Sequence, residues 1–256
     1  MIHIQNKHFR YQINEAGFLH LAATVLRARS EMDYYKTHNI VNRGIDEFSC
    51  RNEVDKKGYR AIETICKILN QEKVNYRFIE AGEKYATIIV DPAMYESLHR
   101  IIQKNGEIKK HIHPYSSMFS YAFLYQMREF ELYEYEGFYF EVFFQLPCMS
   151  LTPMTWIPLD RRIQSIIWSS EGVGTNNTID PRCYYIFRLC WAVFKDKGFS
   201  AYTRSVLAKY NYVLADKEFL ECIRLVFFQF SSLLVELLSR DDYESIIPSY
   251  FGFENY

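Results

Sequence analysis

Phe130–Cys148 reads FELYEYEGFYFEVFFQLPC, and its alternation decides the fold class. Glu136-Gly137 is a turn signal between two β-rich runs. In the second run Phe138, Phe140, Val142, Phe144 and Leu146 alternate with Tyr139, Glu141, Phe143 and Gln145. Successive strand side chains point to opposite faces, so the first set forms an apolar face that must be buried. Glu141 falls on the other, mixed face, which looks either into a cleft or into water.

Upstream, NYRFIEAGEKYATIIVD (Asn75–Asp91) reads as two more strands joined by a tight turn at Gly82-Glu83-Lys84. A helix precedes them at Tyr59–Glu72, with Ile62, Ile65, Cys66 and Leu69 as its apolar stripe. Pro92 suits the first turn of another helix carrying Met94, Leu98, Ile101 and Ile102, which stops near Asn105-Gly106. Further out, residues 2–13 suit a short hairpin around Asn6-Lys7. EAGFLHLAATVLRARSEM has helical spacing, and the stretch from Tyr34 to Gly58 loses periodicity and reads as a connection. Downstream the pattern is helical: RRIQSIIW, then roughly Pro181–Phe194, Ser200–Tyr210, Lys217–Ser239 and a short tail helix over Tyr243–Ile247. The expected fold is α+β. A small mixed or antiparallel sheet is built from two hairpins around a helix, followed by a C-terminal helical region. The segments divide as 1–55, a central unit 56–168, and 169–256.

The composition agrees with this division. The chain has 256 residues, 49% of them hydrophobic, with 21 Tyr, 20 Phe and only 10 Gly. That supports a sizeable core and excludes collagen-like or linker-rich organisation. A net charge of −1 gives no global basic excess of the kind that nucleic-acid or membrane binding uses. The N-terminus has no apolar run of signal-peptide type. The late apolar run Leu225–Leu238 is interrupted by Gln229 and Glu236 and is shorter than the about 20 residues of a membrane-spanning helix. The six cysteines are scattered, with no CxxC, which fits reduced thiols in a cytoplasmic protein.

Six acids fall on or beside the central strands: Glu80, Glu83, Asp91, Glu131, Glu134 and Glu141. Converging carboxylates on a sheet face support metal-dependent phosphoryl transfer, because Mg²⁺ takes hard oxygen ligands. The plain alternative is solvated strand acids that limit edge-to-edge pairing. A helix, strands with a Gly turn, a second helix, and a hairpin whose last strand alternates around an acid resemble the nucleotidyltransferase fold of the polymerase-β type, in particular its uncharacterised bacterial branch. The resemblance covers roughly residues 60–146. IEAGEKYATIIVDPAMYESLHRIIQKNG stands for the family's glycine turn, aspartate strand and helix, and YFEVFF stands for the strand with the third acid, Glu141. The resemblance implies that Glu141 is the metal-binding or base carboxylate, assisted by Glu83 and Asp91. Lys84 or Arg161 would bind phosphate, and Mg²⁺ would be required for activity. The chain departs from the pattern. Gly82 is followed by Glu83 rather than Ser, and Tyr85 and Thr87 stand where the paired aspartates belong. Without those acids two Mg²⁺ ions cannot be held. The departures imply a catalytically degenerate member that binds a nucleotide or phosphorylated ligand.

Other motifs are weaker. His111 and His113 alternate in KKHIHPY and would share a strand face; His99 and Cys148 are candidates to complete a metal site, though no spacing fixes the further ligands, and a solvated basic loop is the simpler reading. Lys109, Lys110 and His111 also suit a phosphate or an acidic partner. Gly172 and Gly174 form a GxG with no preceding strand and no following Lys, so Thr178 or Asp180 reads better as a helix cap before Pro181. Cys183 and Cys190 share a helix face, as core residues do. Trp156, Pro158, Leu159, Asp160 and Arg161 cluster where a pocket wall would stand; alternatively Trp156 and Trp168 plug the joint between sheet and helices. The rival to the nucleotidyltransferase-like reading is a non-enzymatic module whose aromatic surfaces meet a protein partner or a second copy.

Overall fold

The Glu136-Gly137 turn has positive φ at both residues, 51° and 79°, as a two-residue I′-type hairpin requires. It joins the two strands at the centre of the fold. The computed structural model of the protein describes residues 2–6, 9–13, 56–82, 85–111, 130–149, 156–169 and 177–252. The elements in chain order are β1 (Ile2–Asn6), β2 (Phe9–Ile13), α1 (Lys56–Gln71), β3 (Tyr76–Ala81), β4 (Tyr85–Val90), α2 (Tyr95–Lys104), β5 (Lys109–His111), β6 (Glu131–Tyr135), β7 (Phe138–Phe143), β8 (Pro147–Met149) and β9 (Trp156–Pro158). The helices α3 (Arg161–Ser169), α4 (Pro181–Cys190), α5 (Ala201–Lys209), α6 (Lys217–Phe227), α7 (Ser231–Ser239) and α8 (Tyr243–Gly252) follow. The fold is α+β.

Five strands form the main sheet in the order β3-β4-β7-β6-β5. The hairpins β3–β4 and β6–β7 are antiparallel, and β4 runs parallel to β7, which welds the two hairpins together. β4 is buried along its whole length, so it is covered on both faces. On one face Ala86, Ile88, Val90, Phe138, Phe140 and Val142 pack with Ala61, Ile65 and Leu69 of α1 and Leu98 and Ile101 of α2. The i, i+4 spacing in α1 makes that contact stripe. On the other face Ile79, Ile89, Phe130 and Phe143 share a core with the C-terminal helices. Ordinary large-to-small costs suggest that each fully buried Phe or Ile there is worth several kcal/mol.

The short hairpin β1–β2 pairs Asn6 with Phe9, one residue later than the Asn6-Lys7 turn expected. The expected helix from Glu15 to Met32 lies outside the described residues. The helix expected over Pro181–Phe194 is α4 followed by a π-helical segment, Trp191–Asp196, closed by Lys197 at φ 49°. The single helix expected over Lys217–Ser239 is two: Phe228, at φ 49°, starts a 3₁₀ turn between α6 and α7. A bulky side chain rarely takes that backbone conformation, and here it bends the run so that Phe219, Ile223, Phe227, Phe230, Leu234 and Leu238 all reach one core. By length and composition this run is also apolar enough to cross a bilayer, with 44% of its most apolar window buried inside the protein.

Candidate functional site

The floor of the site is one row of side chains across the sheet. A β-bulge in β3, between Phe78 and Glu80, shifts the register so that Phe78 pairs with Ile88 while Glu80 pairs with Thr87. Without the extra residue, strict alternation would turn Glu80 to the α1–α2 face. Thr87 in turn lies beside Glu141 in the parallel ladder and donates from Oγ1 to Glu141 Oε2 at 3.0 Å. Glu80, Thr87 and Glu141 therefore form a polar row on the face that receives the C-terminal helices.

Those helices bring the counter-charges. Arg188 of α4, a helix apolar and buried from Cys183 to Cys190 apart from this residue, reaches Glu80 with Nη2 to Oε2 at 2.7 Å. Tyr184 donates to the same Oε2 at 3.3 Å, and its hydroxyl meets that of Tyr202 at 3.1 Å. The guanidinium lies over the Tyr202 ring at 4.7 Å and near that of Tyr184 at 5.9 Å. Its buried Nε has no hydrogen-bond partner. Lys195, in the π-helical segment, stands over Trp191 at 4.1 Å and 3.9 Å from Asp196. Burial pushes the Glu80 carboxyl up from its ordinary range, Arg188 pulls it back, and the Glu141 charge raises it again. Burial pulls the Lys195 ammonium down, against Asp196 and Glu141. Burial would lower Arg188 too, but Glu80 and the two phenols more than offset that, and it stays a cation.

A cavity of about 510 Å³ opens over this network. Its wall on the sheet side is Arg77 to Ala81 of β3; on the helix side it is Tyr184 of α4, Tyr202 and Lys209 of α5, and Tyr210. Residues 177–181 close one side. They are fixed there because Phe78 N–H donates to the Asn177 carbonyl at 2.6 Å and Ile179 N–H to the Phe78 carbonyl at 2.8 Å, which covers the exposed edge of β3. Charge in the cavity wall is lopsided. Asp180 caps α4 and is held by Arg182 at 2.9 Å, and Glu80 is held by Arg188. Arg77 lies over Trp168 at 5.5 Å and Lys209 over Tyr210 at 4.9 Å; neither has an acidic partner among the described residues.

The sequence-derived candidates divide sharply. Glu141 lies in the polar row. Tyr85 and Thr87, in the places of the resemblance's aspartates, lie on the same face as Glu141: Tyr85 is buried and burial raises its phenol, and Thr87 bonds Glu141. Gly82 is explained by Tyr85, since a Cβ there would sit 2.5 Å from the Tyr85 ring. Glu83 and Lys84 lie outside the described residues. Asp91 is not brought to Glu141. It lies four residues beyond Thr87, about 13 Å along the strand, and its Oδ1 caps the 3₁₀ turn Pro92–Met94 through Ala93 N–H at 2.9 Å. Arg161 is exposed at the start of α3 and does not line the cavity. His99 and His111 are engaged singly: His99 Nε2 meets Glu131 at 2.8 Å, as does Lys110 Nζ, and His111 Nε2 meets Glu134 at 2.8 Å. Tyr133 also donates to Glu131, and His113 lies outside the described residues. Among the described residues no three His, Cys, Asp or Glu side chains are placed to hold one metal ion.

Arg188, Lys195, Tyr184 and Tyr202 did not emerge from the sequence as site residues. One signal was present: Arg188 stands in the middle of the apolar run CYYIFRLCWAVF, where a buried charge demands an acidic partner. Comparison of the chain with protein-family models, with curated proteins and with solved structures finds no significant match.

Proposed function

We propose that this protein binds a nucleotide or other phosphorylated ligand with a flat ring, seated in the cavity between β3 and helices α4 and α5. The observation that carries the proposal is the pairing of three tyrosines, Tyr184, Tyr202 and Tyr210, with two cations, Arg77 and Lys209, that no acid among the described residues neutralises. The volume of about 510 Å³ is within the range of small-molecule sites. Tyrosine rings offer stacking surface to a base, and the cations offer charge-assisted bonds to phosphate. The reading agrees with the nucleotidyltransferase resemblance in ligand class, and it is a reading of binding rather than of phosphoryl transfer.

Calorimetric titration with ATP, CTP and UTP, each with and without Mg²⁺, tests it. Binding is expected for at least one nucleotide, and the double variant Arg77→Ala, Lys209→Ala is expected to weaken it about tenfold or more. Absence of heat with every nucleotide, or affinity unchanged in the double variant, overturns the proposal. It would return the reading to a protein-interaction module. The exposed Tyr212 (63%), Phe228 (48%) and Phe251 (41%) favour that alternative.

A further inference from the structure

We propose that Glu80 selects the ligand. Its Oε1 accepts an N–H from an exocyclic amino group, so the cavity prefers amino-bearing bases such as adenine and cytosine to their oxo counterparts. The inference rests on the nucleotide-binding reading and goes beyond it by naming the reader.

Three observations carry it. The β3 bulge is what places Glu80 on this face, and Glu80 lines the cavity. The carboxylate is used on one oxygen only. Oε2 takes both Arg188 Nη2 and the Tyr184 hydroxyl, while Oε1 takes no hydrogen bond from the described residues and is not among their buried atoms left without a partner. The group is also held in place. Arg188 is pinned between its ion pair and the Tyr202 ring, and Tyr184 is tied to Tyr202, so Oε1 presents a fixed acceptor beside the aromatic walls. An ionised carboxylate can only accept. Facing it, an amino group gains a charge-assisted bond, while a ring carbonyl meets a like partial charge and leaves Oε1 unpaired. Sites built on a single polar pairing reject the mismatched analogue for this reason. The other acid in the wall, Asp180, is spent on Arg182 and on the α4 cap, which leaves Glu80 to read the base.

The test compares ligands that differ at one group. Titration at pH 8 of the wild-type chain with ATP against ITP, and with CTP against UTP, is expected to show the amino member binding tenfold or more tighter in at least one pair. Glu80→Gln is expected to bring that ratio below about threefold, because the amide can turn its NH₂ to a carbonyl. A ratio under tenfold in both pairs, or one that survives Glu80→Gln, overturns the role of Glu80 and leaves the binding reading standing. The wild-type ratios need no variant, so a Glu80→Gln chain that fails to fold does not blunt the experiment. If none of the four nucleotides binds, the cavity reading itself falls and the assignment of Glu80 falls with it.

Discussion

The two faces of the sheet solve different problems. The face under α1 and α2 is almost wholly apolar. Its one buried acid among the described residues, Glu131, is met on the spot by His99, Lys110 and Tyr133. The opposite face is apolar only at one end, where Ile89, Phe130 and Phe143 meet the C-terminal helices. At the other end it carries Glu80, Thr87 and Glu141, whose compensating charges arrive from Arg188 and Lys195. Burying charge costs several kcal/mol unless it is paired and hydrogen-bonded. A fold that keeps a row of acids beneath helices, with a cavity above, has placed its polar chemistry on one side and its packing on the other.

The largest effect that sharpens this contrast comes from the packing itself. Phe140, 2% exposed on the α1–α2 face, lies 5.0 Å from Phe138; Phe143, fully buried on the opposite face, lies 4.7 Å from Phe130 and 6.1 Å from Phe187. Each truncation to Ala is expected to cost about 3–5 kcal/mol in urea unfolding. Equal costs would show that the C-terminal helices dock on the sheet as firmly as α1 and α2 do. A cost below about 1 kcal/mol for Phe143→Ala alone would break the comparison, since such a site is not tightly packed.

The two faces also differ in how much of them the sequence shows. Alternation from Phe138 to Phe143, the Glu136-Gly137 turn and the apolar stripe of α1 are local patterns, and each element forms where its pattern lies; the stripe read as Ile62, Ile65, Cys66 and Leu69 centres in the structure on Ala61, Ile65 and Leu69, with Ile62 and Cys66 at its margin. The Asp180 cap and the helix after Pro92 are local too. The polar row is different. Glu141 was visible as an oddity, but its setting depends on a bulge in β3 that no residue type announces, and on Arg188 and Lys195, which are more than 40 residues further along the chain. Asp91 and Arg161 lie apart from the cavity: strand direction carries Asp91 to the far end of β4, and Arg161 stands exposed at the start of α3.

A smaller effect tests the charge side of the comparison. Burial lowers the Lys195 pKa from its ordinary 10.5. Below the folded value both states hold the proton; between the folded and unfolded values the unfolded chain binds more protons, so stability rises with pH in that window. The slope for one such group is at most about 1.4 kcal/mol per pH unit. Tyrosines act in the opposite sense at higher pH: burial pushes Tyr76 up to about 12, and stability falls once the unfolded phenols ionise. Urea unfolding as the pH rises toward the ordinary lysine value of 10.5 is therefore expected to show a more positive slope for the wild-type chain than for Lys195→Met. Identical slopes would mean that Lys195 is solvated, and that the polar end of the row is open rather than covered.

The smallest expected effect concerns Asp91, the one acid that the resemblance enlists and the structure employs elsewhere. As the cap of Pro92–Met94 its value lies in an acceptor oxygen, not in a charge. Asp91→Ala is expected to cost about 1 kcal/mol, whereas Asp91→Asn is expected to be nearly neutral because Asn caps as well as Asp. Nucleotide affinity in both variants should match the wild type, with or without Mg²⁺, because the cap lies beyond the end of β4 and does not line the cavity. A metal-binding carboxylate would behave the other way: Asn keeps the cap but loses the charge that a divalent ion needs. Loss of Mg²⁺-dependent affinity in Asp91→Asn at unchanged stability would therefore return Asp91 to the site and erase the division between a packing side and a chemical side of the sheet.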